Sequence, residues 1–139
     1  MKKLFWTISL VFIICILCLH LFVKNKVKKE HIIKEFNSNK ETFTKAKDYC
    51  FNKQQDLFLT SKSYSNLVDS HQMNNFDRIF KELGYEVIEC SKTTVTFYHR
   101  TSKGEDMCII YSVLDDTEYG MYSESLGDNW YYFWIGYDI

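Results

Sequence analysis

Three cysteines and three histidines outside the apolar N-terminal stretch are the residues best able to do covalent or metal chemistry: Cys50, Cys90 and Cys108, with His31, His71 and His99. No two histidines, His20 included, sit at metal-ligand spacing, and no H-E-x-x-H occurs. No metal site is therefore expected. A Cys-His hydrolase could combine Cys90 or Cys108 with His71 or His99, because such partners meet in space and not in sequence. Neither cysteine sits at a strand-to-helix turn, so an enzyme of this kind is the alternative and a non-enzymatic chain without catalytic residues is the expectation. Three thiols allow at most one disulfide, and no C-x-x-C joins any two of them. Buried free thiols are expected. Asp115, Asp116 and Glu118 could hold a cation loosely, but the alternating acids, glycine and distal Glu of an EF-hand are missing. A solvated acidic turn is expected there. The chain has no G-x-G-x-x-G, no G-K-[ST] and no G-x-S-x-G, and no cofactor is expected.

Binding is better represented than catalysis. The C-terminal run W-Y-Y-F-W-I-G-Y alternates Trp130, Tyr132 and Trp134 on one face with Tyr131, Phe133, Ile135 and Tyr137 on the other. Both faces are apolar. One can pack under helices; the other must be covered or serve as a contact patch. Trp130, Tyr132 and Trp134 are the candidate binding residues, with Asp115, Asp116 and Glu118 as acidic support. A central strand in a strongly curved sheet is the bland alternative.

Helices and strands must position these residues. Phe43, Ala46 and Cys50 recur at helical spacing, which predicts a helix over 39–54, and Ser38 with Glu41 forms a capping box before it. Leu57 to Leu59 suit a short strand. Met73, Phe76, Ile79, Phe80 and Leu83 predict a second helix over 72–83, closed by Gly84 at positive φ. Everything after Gly84 reads as strands: 85–90, 93–100, 107–114, 121–126 and 130–137, joined by short turns and so paired antiparallel. The prediction is an α+β domain, two helices packed on an antiparallel sheet of four to five strands. A cystatin-like or NTF2-like roll is the alternative fold.

The first residues differ in kind. Leu4 to Val23 is twenty residues long with no formal charge, enough for a helix to span about 30 Å of hydrocarbon. Lys2 and Lys3 precede it, and Lys24, Lys26, Lys28 and Lys29 follow. The run is longer than the apolar core of a cleaved signal, and no A-x-A site follows it. The organisation expected is a basic N-terminus at 1–3, a transmembrane anchor at 4–23, a basic spacer continuing the helix at 24–37, and a soluble domain at 38–139. Orientation is contested. The lysines after the helix favour an inward domain by the positive-inside rule, whereas the M-K-K start and apolar run have the form of a bacterial export signal. The outward orientation is preferred, at a cell membrane.

Composition fits this division. A chain that is 46% hydrophobic and 17% aromatic is not disordered. The net charge of −1 hides an asymmetry: residues 1–29 hold six lysines and no acid, and residues 104–139 hold eight acids and no Lys or Arg. The basic end would meet anionic head groups. The acidic end excludes nucleic acid as a partner and suits a cationic one.

Three stretches carry a resemblance: E-F-N-S-N-K-E-T-F at 35–43, I-Y-S at 110–112 and S-L-G-D-N-W-Y-Y-F at 125–133. In these the chain resembles small membrane-anchored proteins of low-GC Gram-positive bacteria, a set that brings no catalytic residues with it. The function expected is an outward-facing, membrane-tethered module that binds a protein or an envelope component, an immunity protein being one concrete form. The other alternative, beside the Cys-His enzyme, is a structural or assembly subunit acting through its helix.

Overall fold

The computed structural model describes the backbone over residues 2–100, 105–114 and 123–136, and within these the side chains of 11–19, 28–99, 106–114 and 123–135. The chain divides into two units, Met1–Lys34 and Glu35–Ile139.

The first unit consists of most of helix α1, which runs without a break over Lys2–Ser38. Residues 24–37 thus lie within α1. Val11, Phe12, Ile13, Ile14, Ile16, Leu17 and Leu19 are each at least half exposed. Residues 100° apart around the axis cannot share a stripe, so this stretch is apolar on every side. Among the described residues no helix is long and apolar enough to cross a membrane. Of the predicted span 4–23, only 11–19 fall among the described side chains.

The second unit is α+β. After α1 come α2 (Lys40–Lys53), β1 (Leu57–Thr60), a 3-10 turn (Tyr64–Asn66), α3 (Met73–Asp77), a π-helical turn (Arg78–Glu82), β2 (Val87–Cys90), β3 (Thr94–Arg100), β4 (Glu105–Ser112), β5 (Ser123–Gly127) and β6 (Trp130–Gly136). The six strands form one antiparallel sheet in the order β1-β2-β3-β4-β6-β5. Local chemistry sets the boundaries. Gly84 has φ +75° and Gly127, Asp128 and Asn129 all have positive φ, which turns the chain after the π-helical turn and between β5 and β6.

The predicted capping box does not form. Ser38 closes α1, and Asn39 stands before α2 with no side-chain cap. The Asn39 side-chain amide instead donates to the Glu35 carbonyl at 2.8 Å, a local bond that competes with helix geometry. The predicted helix over 72–83 is present, but it changes pitch halfway. The Leu83 N–H donates to the Arg78 carbonyl at 2.9 Å, five residues back.

Phe43 of α2 is the hub of the core. Its ring lies 5.3 Å from Phe36, 5.3 Å from Tyr85 and 5.0 Å from Phe97, all 2% exposed or less. Leu59, Ile88, Val95, Met107 and Ile109 complete the inward face of the sheet. The expectation of buried free thiols holds for Cys108 and fails for the other two soluble cysteines. Cys50 on α2 and Cys90 on β2 are joined by a disulfide, with Cα atoms 5.9 Å apart. Closing a loop of 40 residues stabilises the fold by about 4 kcal/mol in the chain-entropy account.

Candidate functional site

The sheet has two unlike faces, and strand register assigns the candidate residues to them. His99 pairs with Met107 and Tyr98 with Cys108; Ile109 pairs with Tyr132 and Tyr111 with Trp130. Alternation then puts Val95, Phe97, His99, Met107, Ile109, Trp130, Tyr132 and Trp134 on the face beneath the helices. Tyr98, Asp106, Cys108, Ile110, Tyr131, Phe133 and Ile135 lie on the other face.

This corrects the binding face read from the sequence. Trp130 is 2% exposed and Tyr132 4% exposed. The Trp130 ring lies 5.0 Å from Phe36 and 5.2 Å from Tyr111, so it is a core residue. Trp134, on the same face in the next register position but one, is half-buried. Trp130 and Tyr132 therefore have no surface to offer a partner in the folded domain. The physical reason is that Phe36 and α2 cover this face, and their apolar residues need the largest rings in the sheet opposite them. Asp115, Asp116 and Glu118 lie outside the described residues.

The outward face carries the aromatic surface. Cys108, Ile110 and Phe133 form a small buried cluster with Tyr98 and Ile135 packed against it. Tyr98 and Tyr131 are half-buried, and Phe58 of the edge strand β1 is 61% exposed. The Tyr98 hydroxyl donates to the Glu89 carboxylate at 3.0 Å. Burial, then the Glu89 carboxylate, pushes the Tyr98 phenol well above its ordinary range, so it remains a neutral donor. Tyr131, Phe133 and Ile135 were visible in the alternation, but a strand apolar on both sides does not reveal which side meets the helices.

The Cys-His combinations are not assembled. Cys90 is bonded to Cys50, and Cys108 stands on the opposite face from His99. Cys108 is fully buried; that burial, with the Asp106 carboxylate second, pushes its thiol far up and keeps it protonated. His71 is exposed in the segment before α3. Among the described residues no group of three or more His, Cys, Asp or Glu side chains could hold a metal ion.

Two polar ties fix the surface loops. The Tyr64 hydroxyl donates to Asp77, and Lys81 pairs with Asp77 at 2.9 Å. Lys40, at the start of α2, pairs with Asp128 of the β5–β6 turn at 2.7 Å. A cleft of about 340 Å³ opens beside the disulfide and is lined by Cys50, Phe51, Gln54, Gln55, Ser91 and Lys92. No family model, curated protein or solved structure matches this chain.

Proposed function

We propose that this chain is a membrane-tethered, non-enzymatic binding module whose α+β domain faces away from the cytoplasm. The Cys50–Cys90 disulfide is the observation that carries the reading, because such bonds persist in oxidising compartments and are rare in the cytosol. The tether is supported by the uncharged run Leu4 to Val23 and by the exposed apolar residues on every side of α1 between Val11 and Leu19. Single-pass anchorage at the cell membrane follows, with the lysines at 24–29 beside anionic head groups.

The binding surface in this reading is the outward face of the sheet, around Tyr98, Tyr131 and Ile135 with Phe58 at its edge. Its partner is a cationic protein or peptide. Glu89 and Asp106 share the aromatic face, and residues 104–139 contain eight acids and no Lys or Arg. A self-protection protein against a cationic secreted toxin is one form of such a module.

Protease access to a C-terminal tag in intact protoplasts tests the orientation, with a cytoplasmic protein as control. Cleavage of the tag while the control survives is the expected result. Protection until the membrane is broken overturns it, and partners would then be cytoplasmic. Tyr131→Lys on the outward face should abolish the phenotype while leaving the circular dichroism unchanged. Retained function in that variant would remove the outward face from the reading.

A further inference from the structure

Two strands bound the sheet, β1 and β5, and only β5 is guarded. It carries Glu124 in mid-strand and a bulge between Ser125 and Gly127. A charge and a bulge are two of the devices that keep an edge strand from pairing with another chain. β1, with the sequence L-F-L-T, has no charge, no proline and no register shift.

The ladder shows which backbone groups of β1 are open. The Ser61 N–H donates to the Glu86 carbonyl at 3.0 Å, in the same register as Leu59 with Ile88 and Leu57 with Cys90. Bonded and non-bonded pairs alternate in an antiparallel ladder, so Phe58 and Thr60 turn their N–H and C=O groups away from β2, to the free edge. Thr60 agrees: its N–H donates to the Ser63 hydroxyl at 3.3 Å, and its carbonyl accepts from the Ser63 N–H at 3.1 Å. The Phe58 N–H and C=O have no such partner among the described residues. The Phe58 side chain beside them, on the outward face, is 61% exposed. Asp56 precedes the strand and Lys62 follows it, both exposed.

We propose that β1 is the interface between two copies of this chain, paired antiparallel about a two-fold axis through Phe58. Each Phe58 N–H donates to the carbonyl of the partner's Phe58. Opposite residues of such a pair share a face, so the two exposed rings lie side by side and cover one another. Asp56 stands level with the partner's Thr60, whose carbonyl keeps a lone pair for the Asp56 N–H, and next to the partner's Lys62. The segment bears an acid at one end and a base at the other, which an antiparallel copy complements and a uniformly cationic peptide does not. The same pairing of β5 about Glu124 would set two carboxylates together. The contact is short and belongs to the small, transient class of interface. It joins two six-stranded sheets edge to edge, with both outward faces on one side. The pairing stands whether or not that face binds a cationic partner.

The test uses the full chain in detergent micelles with Cys15→Ser and Cys18→Ser, which leaves the buried Cys108 as its free thiol. Phe58→Cys is added, and mild oxidation is followed by peptide mass spectrometry. Cα atoms of a hydrogen-bonded antiparallel pair lie about 5.5 Å apart, within disulfide reach, so a 58–58 link between chains is expected. Leu67→Cys and Ser123→Cys, exposed away from β1, should link at least about tenfold less, since collision alone holds no such geometry. Asp56→Lys beside Phe58→Cys should lower the 58–58 yield about fivefold at low salt, and Lys62→Asp added to it should restore the yield. Circular dichroism checks each fold. In the parent chain, hydrogen exchange at the Phe58 amide should slow as protein concentration rises. A yield at position 67 or 123 equal to that at 58, a yield indifferent to the charge swap, or Phe58 exchange independent of concentration would each overturn the proposal. So would linking at 123 alone, which would make β5 the interface.

Discussion

His99 and Cys108 stand on opposite faces of the same sheet, although their strands are hydrogen-bonded neighbours. His99 is level with Met107, and Cys108 is level with Tyr98. One position of register separates a Cys-His pair from its absence, because successive side chains in a strand point to opposite faces. The thiol behaves accordingly. It is wholly buried between Ile110 and Phe133 of its cluster, and burial holds it protonated.

Cys108 should therefore resist alkylation in the native state. N-ethylmaleimide treatment of the full chain in micelles, followed by peptide mapping, should label Cys108 only after denaturant is added. Rapid native labelling would mean the thiol is accessible and would reopen a catalytic role for it.

Phe43 should be the most costly single position on α2. It meets Phe36, Tyr85 and Phe97 at ring distances of 5.0–5.3 Å, and its own exposure is 0%. Phe43→Ala removes all three contacts and leaves a cavity that the surrounding rings cannot fill. A loss of about 3–5 kcal/mol is expected from urea unfolding of the full chain in micelles. The disulfide remains in place during that measurement, so a smaller loss would mean that the core relaxes around the gap.

Much of this arrangement was legible in the residues. The apolar spacing of Phe43, Ala46 and Cys50 gave α2, and turn chemistry at Gly127-Asp128-Asn129 gave the β5–β6 hairpin. Three features were not legible, each for a physical reason. The pitch change at Arg78 leaves no trace in a pattern of buried residues, since Phe76, Ile79 and Phe80 stay inward in both helical forms. The pairing of Cys50 with Cys90 depends on where α2 crosses β2, which an odd cysteine count does not encode. The inward face of β6 depends on register with β4, and a strand apolar on both sides fixes no register preference of its own.

Acid should weaken the tie between the 3-10 turn and the end of α3. The Tyr64 hydroxyl, and then the Lys81 ammonium, hold the Asp77 carboxyl below its ordinary range. A carboxyl whose pKa is lower in the folded chain than in the unfolded one adds stability above the unfolded value, near 4, and loses it as pH falls through the folded value. Asp77→Asn should lower the urea midpoint at neutral pH. The difference from the parent should shrink as pH falls below about 4, because the protonated acid and the amide are then both neutral. A difference that stays constant from neutral pH into acid would show that charge on Asp77 contributes nothing.

Tyr85 offers a test of opposite sign. Its ring is 1% exposed and packs edge-on against Phe43 at 5.3 Å and against His99 at 5.2 Å. Its hydroxyl oxygen is buried and makes no hydrogen bond among the described residues. Burial, and then the Glu35 charge, push the phenol far above its ordinary range, so it is neutral at neutral pH. A buried hydroxyl without a partner costs about 1–3 kcal/mol of desolvation that no bond returns. Tyr85→Phe keeps the ring and all its contacts and removes only the oxygen. The variant should be more stable than the parent by about 1 kcal/mol in urea unfolding. A loss of that size instead would mean that an ordered water bonds the hydroxyl inside the core, and high-resolution crystallography of the parent would then reveal it beside the Tyr85 oxygen.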